Sequence, residues 1–93
     1  MRFEWDEAKN AANKRKHRLS FQTAQFAFND PLHRSFYDGA IDGEDRWQTF
    51  GIVDGVVLLL VALTYRRDGD DEIVRFISAR KATKHERRRY EEG

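Results

Sequence analysis

Val56–Tyr65 reads VVLLLVALTY, and its first eight residues, Val56 to Leu63, are unbroken by any polar group in an otherwise charged chain. A membrane span needs about 20 apolar residues, so this run is too short to be one. It is rich in valine and leucine, and Asp54-Gly55 stands immediately before it, a two-residue hairpin signal. The run therefore reads as the central strand of a sheet, buried on both faces. The rival reading is a short buried helix, although helices usually reach about ten residues or more. Function is expected at the polar end of this strand, where Thr64, Tyr65, Arg66 and Arg67 emerge.

The 93 residues suit a single domain spanning 1–93. A chain of this size buries about 60–65% of its unfolded surface, so its core is modest. Cysteine is absent, which removes disulfides and thiolate metal sites. The N-terminal MRFEWDEAKN is charged and shows no apolar signal segment, so the expected location is the cytoplasm. The net charge is only +1, but the charges are segregated. Lys14–Arg18 (KRKHR) and Arg80–Arg89 are basic, and Asp30–Asp54 between them is mostly acidic. Such asymmetry fits an anionic partner on one side, or simply solvated helix faces.

From the N-terminus, Arg2–Trp5 reads as an edge strand or an anchoring arm. Asp6 is a plausible N-cap for a helix over Glu7–Lys16, whose thin apolar face would be Ala8, Ala11 and Ala12. Asn10 and Asn13 are poor helix formers there, which points to a hydrogen-bonding role or to plain exposure. Ser20 caps a second, amphipathic helix carrying Phe21, Ala24 and Phe28, ended by Asp30-Pro31. Strands are then expected at Leu32–Tyr37, Arg46–Val53, the central run and Ile73–Arg80, with a long polar turn over Arg67–Glu72. In the second of these Arg46, Gln48, Phe50 and Ile52 face one way and Trp47, Thr49, Gly51 and Val53 the other. In the last, Val74, Phe76, Ser78 and Arg80 oppose Ile73, Arg75, Ile77 and Ala79. Thr83-x-x-Glu86 fits a capping box opening a short basic helix. The fold class is α+β, with two N-terminal helices on one face of a twisted four-stranded antiparallel sheet and the other face open.

The three histidines, His17, His33 and His85, have no metal-ligand spacing, and neither metal nor cofactor is expected. No serine has the context of a nucleophile. What remains is cationic and imidazole chemistry: Lys16, His17, Arg46, Arg66, Arg80, Lys81 and His85. Such groups suit metal-free RNA cleavage, in which the ribose 2′-OH attacks its own phosphate. Arg75, mid-strand, faces the open side or meets a carboxylate such as Glu44 or Asp45. Antiparallel pairing puts Arg66 and Arg80 at opposite ends of their strands, so the two need not touch. Arg80 serves a phosphate or is tied structurally to a carboxylate, and His17 is a proton-transfer group or a surface histidine.

Several motifs in order resemble the BrnT family of small ribonuclease toxins. They are Phe3-Glu4-Trp5-Asp6 with Lys9-Asn10 and Asn13; Lys16-His17, Ser20-Phe21 and Ala24; Asp30-Pro31; Gly43-Glu44 with Arg46; Thr64-x-Arg66; and Ile77-Ser78-Ala79-Arg80-Lys81-Ala82 with Glu86 and Tyr90. Two departures stand out. Arg18 occupies a usual glycine position, and Asp68–Glu72 makes the last hairpin long and acidic. The resemblance implies a RelE-like ribonuclease fold, RNA cleavage that inhibits translation, and neutralisation by a BrnA-type ribbon-helix-helix antitoxin. Operator DNA would be bound only through that complex, no membrane is involved, and a dimer within a toxin–antitoxin heterotetramer is expected.

The expected catalytic set is Arg66, Arg80 and His17, supported by Lys16, Glu44 and Arg46, with Lys81, Lys84, Arg87 and Arg88 binding RNA. The rival is a non-catalytic adaptor in which the basic helix holds nucleic acid or an acidic antitoxin segment.

Overall fold

The computed structural model describes residues 1–92. Its elements are β1 (Arg2–Glu4), α1 (Glu7–His17), α2 (Phe21–Ala24) running into a 3₁₀ segment (Gln25–Asn29), β2 (Arg34–Ile41), β3 (Glu44–Val53), β4 (Val57–Asp68), β5 (Asp71–Lys81) and α3 (Lys84–Glu91). The strands form one sheet in the order β1-β5-β4-β3-β2. The apolar run is its middle strand, as its composition indicates. The sheet has five strands rather than four and is mixed, because β1 pairs parallel to β5.

The turns differ from the local reading in both directions. Between β3 and β4, Asp54 and Gly55 both take positive φ (55° and 70°), as a type I′ turn demands. Val56 thereby falls in the turn and is 73% exposed. The acidic Asp68–Glu72 stretch does not form a long loop. Asp68 pairs with Asp71 and Arg67 with Glu72, so the strands extend to a two-residue turn with Gly69 at φ +63°. Similarly, β2 runs to Ile41, beyond the expected Tyr37, and Leu32 lies outside it, exposed.

α1 begins where expected, with the Asp6 carboxylate accepting from the Ala8 N–H at 2.8 Å. Its buried face is different. Ala8, Ala11 and Ala12 are exposed, whereas Asn10 and Asn13 are buried. Asn13 acts as a substitute strand: its Nδ2 donates to the Ala79 carbonyl (2.8 Å) and its Oδ1 accepts from the Ala79 N–H (3.0 Å). The edge of β5 beyond β1 is thus satisfied by one amide side chain, as buried backbone groups require. Asn10 likewise accepts from the Phe21 N–H at 2.8 Å, tying α2 to α1.

The second helix is only one α turn before it tightens to 3₁₀. Gly51 explains the close contact beneath it, since a Cβ there would lie 2.2 Å from the Ala27 carbonyl oxygen. Phe21, Ala24 and Ala27 join Leu59, Val61, Leu63, Val74, Phe76 and Ala79 in the main core on this face. Phe3, Trp5, Phe21 and Phe28 all pack on Phe76, at centroid separations of 5.4 to 5.8 Å.

The opposite face is half covered, not open throughout. Phe50, Leu58 and Leu60 form a second core with Phe36, Ile52, Ala82 and Tyr90, and α3 provides its lid. A bulge makes this possible. The β4–β5 register shifts between Ala62 and Leu63, so Leu63 pairs with Phe76 and Ala62 with Ser78. Simple alternation therefore fails after Phe76. Ala79 joins the main core, and Arg80 stands opposite Leu60 on the α3 face.

Candidate active site

The uncovered half of the second face holds a polar hollow of about 290 Å³, lined by Lys9, Ile41, Asp42, Glu44, Arg46, Thr64, Arg75 and Ile77. Register builds its floor. Arg46 pairs with Thr64, Thr64 with Arg75, and Arg75 with Glu4, so one cross-strand row carries four polar side chains from four strands. Side chains opposite one another in such a row lie within about 5.5 Å at Cβ, close enough to act on one anion. Arg46 projects to this face as its alternation indicates, and Arg75 takes the open side.

Arg66 stands at the rim, one same-face position beyond Thr64. It is half exposed, and its Nη1 donates to Glu4 Oε1 at 2.8 Å. That hydrogen bond, with the charges of Arg75 and Arg2 nearby, holds the Glu4 carboxyl below its usual pKa. In return, Glu4, with Asp68 and Glu44 at longer range, keeps Arg66 firmly charged.

Arg80 is elsewhere and differently engaged. Its two terminal nitrogens both donate to Glu86, at 2.8 Å each, and Nη1 also reaches the Lys81 carbonyl at 3.3 Å. The Arg80 hydrogen bonds, with those from Thr83, bring the Glu86 carboxyl down to about 2. Glu86 also completes the capping box of α3, accepting from the Thr83 N–H. Arg80 is therefore a brace between β5 and α3. Since Arg66 pairs with Ile73, the two arginines are separated by most of β5, about 20 Å. They do not converge on one phosphate.

His17 closes α1 about 6 Å beyond Asn13, toward the Lys81 end of β5, and does not line the hollow. Lys16 is exposed beside it. Lys81, Lys84 and Arg88 are exposed and Arg87 half-buried, all in or near α3. Arg89 lies over the Phe36 ring at 4.2 Å, and the Tyr90 hydroxyl donates to Asp30 at 2.6 Å, which pushes its pKa up to about 12. Both pin the helix. Of the ten residues singled out in the sequence, Arg46 and Glu44 line this hollow, and Arg66 stands beyond it, next to Thr64 on the same face. Thr64, at the strand end where function was expected, lines it too; Lys9 in the lining and Glu4 beside Arg66 were not anticipated, because they depend on where α1 lies and on the parallel placing of β1.

Fold and hollow together define a small α+β protein with a polar hollow in which Lys9, Arg46 and Arg75 stand beside Asp42 and Glu44. The sequence model for the ribonuclease toxin BrnT of type II toxin–antitoxin systems matches residues 5–86, and the chain belongs to this family. In fold it is similar to the BrnT ribonuclease toxin of Brucella abortus, known from a 1.1 Å crystal structure. The TM-score is 0.61 and the identity 24%, over 90% of this chain and 99% of that one. No curated relative matches at a significant level. Among the described residues, no helix is long and apolar enough to cross a membrane.

Proposed function

We propose that this ribonuclease toxin cleaves RNA in the hollow on the second face, by attack of a ribose 2′-OH on the adjacent phosphorus. The row Arg46–Thr64–Arg75, with Arg66 at its rim, carries this reading, because it concentrates guanidinium groups where the sheet is uncovered. In this reading Arg46, Arg66 and Arg75 bind the phosphate and stabilise the charge that grows on its oxygens in the transition state. The Glu44 carboxylate takes the 2′-OH proton, and the Lys9 ammonium protonates the departing 5′-oxygen. The O2′–P bond forms as the P–O5′ bond breaks, leaving a 2′,3′-cyclic phosphate and a 5′-hydroxyl. The site holds the reacting groups in line, and the RNA supplies its own nucleophile.

Lys16, Lys81, Lys84, Arg87 and Arg88 fall outside this centre, and we assign them to contacts with the RNA backbone on either side. Arg80 acts on the fold, and His17 is left without a part in proton transfer at the hollow. As partner we infer a BrnA-type ribbon-helix-helix antitoxin, in a heterotetramer that meets operator DNA through the antitoxin.

The decisive experiment uses a short single-stranded RNA with one cleavable linkage, with and without EDTA. Cleavage that survives chelation, yields 2′,3′-cyclic phosphate ends and stops when the scissile ribose is 2′-deoxy is the expected result. Magnesium-dependent cleavage leaving 5′-phosphates rejects the mechanism. Binding without any cleavage favours the adaptor reading.

A further inference from the structure

β1 is only three residues long, yet its parallel register decides what borders the hollow. Phe3, opposite Val74, turns into the main core, while Arg2 and Glu4, opposite Ile73 and Arg75, turn to the second face. Glu4 thereby extends the row Arg46–Thr64–Arg75 by one strand and reaches Arg66 on the neighbouring position.

The manner of that contact is informative when set beside Arg80. Glu86 occupies both terminal nitrogens of Arg80, which leaves that guanidinium little to offer a ligand. Glu4 takes one N–H of Arg66 through one oxygen, at 2.8 Å, and the Arg66 side chain is 51% exposed. Of the five N–H donors an arginine carries, the remaining ones are free to bind a bidentate anion. A flexible side chain tethered at one nitrogen is confined without being consumed. The pair does not serve to fasten β1, since an exposed ion pair contributes little to stability. Phe3 already anchors that strand, packing on Phe28 and Phe76 at 5.2 and 5.4 Å.

We propose that Glu4 is a positioning residue for Arg66, holding its guanidinium over the rim of the hollow so that its free N–H groups meet the scissile phosphate. This inference rests on the reading of the hollow as the RNA site. Glu4 touches no reacting atom and acts only through Arg66. Its carboxyl is kept ionised by the same arginine, so the tether persists across the neutral range.

The test is a double-mutant cycle in single-turnover RNA cleavage, with thermal melting of each variant as a check on folding. Glu4→Ala should lower kcat about 10-fold with little change in KM, the loss expected when a transition-state contact is misplaced. Glu4→Gln, which keeps an oxygen acceptor, should recover part of it. In an Arg66→Ala background, Glu4→Ala should cause no further loss, because the two residues act as one unit. An undiminished loss in that background overturns the inference, and so does a rate increase in Glu4→Ala, which would make Glu4 a competitor of the phosphate. If Arg66→Ala impairs cleavage and Glu4→Ala does not, only the positioning role fails. If Arg66→Ala leaves cleavage intact, the assignment of the hollow fails as well.

Discussion

Exchanging Arg66 and Arg80 separately for alanine should divide catalysis from stability. Arg80 forms a bidentate pair with Glu86, with the two side chains 38% and 22% exposed. Breaking a fully buried pair costs about 3–5 kcal/mol, and an exposed pair contributes about 0–1 kcal/mol. Glu86 keeps the Thr83 N–H after the change, so Arg80→Ala should lose about 1–2 kcal/mol, an intermediate value. For a domain of this size that is about 5–15 °C in melting temperature. Cleavage measured well below the transition should stay near the parent rate. Arg66 is the opposite case. Its single exposed contact to Glu4 leaves melting unchanged, while losing a transition-state cation should slow cleavage about 100-fold. Thermal unfolding by circular dichroism, paired with single-turnover cleavage at a temperature where both variants are folded, reads the two effects apart. The reasoning is refuted if Arg80→Ala, still folded, loses as much cleavage as Arg66→Ala.

Asn13→Ala leaves the Ala79 N–H and carbonyl without their side-chain partner, and about 2–4 kcal/mol should be lost in urea unfolding, with faster exchange of the Ala79 amide. Gly51→Ala pushes a methyl into the Ala27 carbonyl and should destabilise by about 1–3 kcal/mol, again seen in urea midpoints, or lift the 3₁₀ segment from the sheet. Arg18, capping α1 at φ +57°, should give the reverse result: Arg18→Gly relieves a left-handed residue and gains about 0.5–1 kcal/mol in the same assay. Acid should weaken the Arg80–Glu86 brace. The Glu86 pKa falls from 4.5 to about 2 on folding, so the pair's contribution is complete above about pH 5 and disappears as pH drops through 4.5 toward 2. Urea midpoints of the parent should fall more steeply across that window than those of Arg80→Ala.

Local pattern was enough for much of this architecture. The apolar run declared β4, alternation assigned the two faces of β3, and Asp6, Ser20 and the Thr83/Glu86 box marked three helix starts, each now seen capping. These features depend on neighbours a few residues apart. The capping pattern also placed Glu86 where the family likeness set it, but not against Arg80. Asn10 and Asn13 signalled a hydrogen-bonding task without revealing it, since their partners lie in α2 and at the edge of β5.

By itself, then, the sequence determined the central strand, the phase of β3 and the helix ends, because period and capping are short-range physics. Tertiary structure alone decided the parallel pairing of β1 with β5, which brings Glu4 to Arg66 across 62 residues of chain. It also decided the bulge at Ile77, which turns Arg80 toward α3 and leaves the hollow to Arg46 and Arg75, with Arg66 at its rim. Strand pairing at long range and a one-residue slip in register leave no periodic trace, yet each determines which side chains share a face.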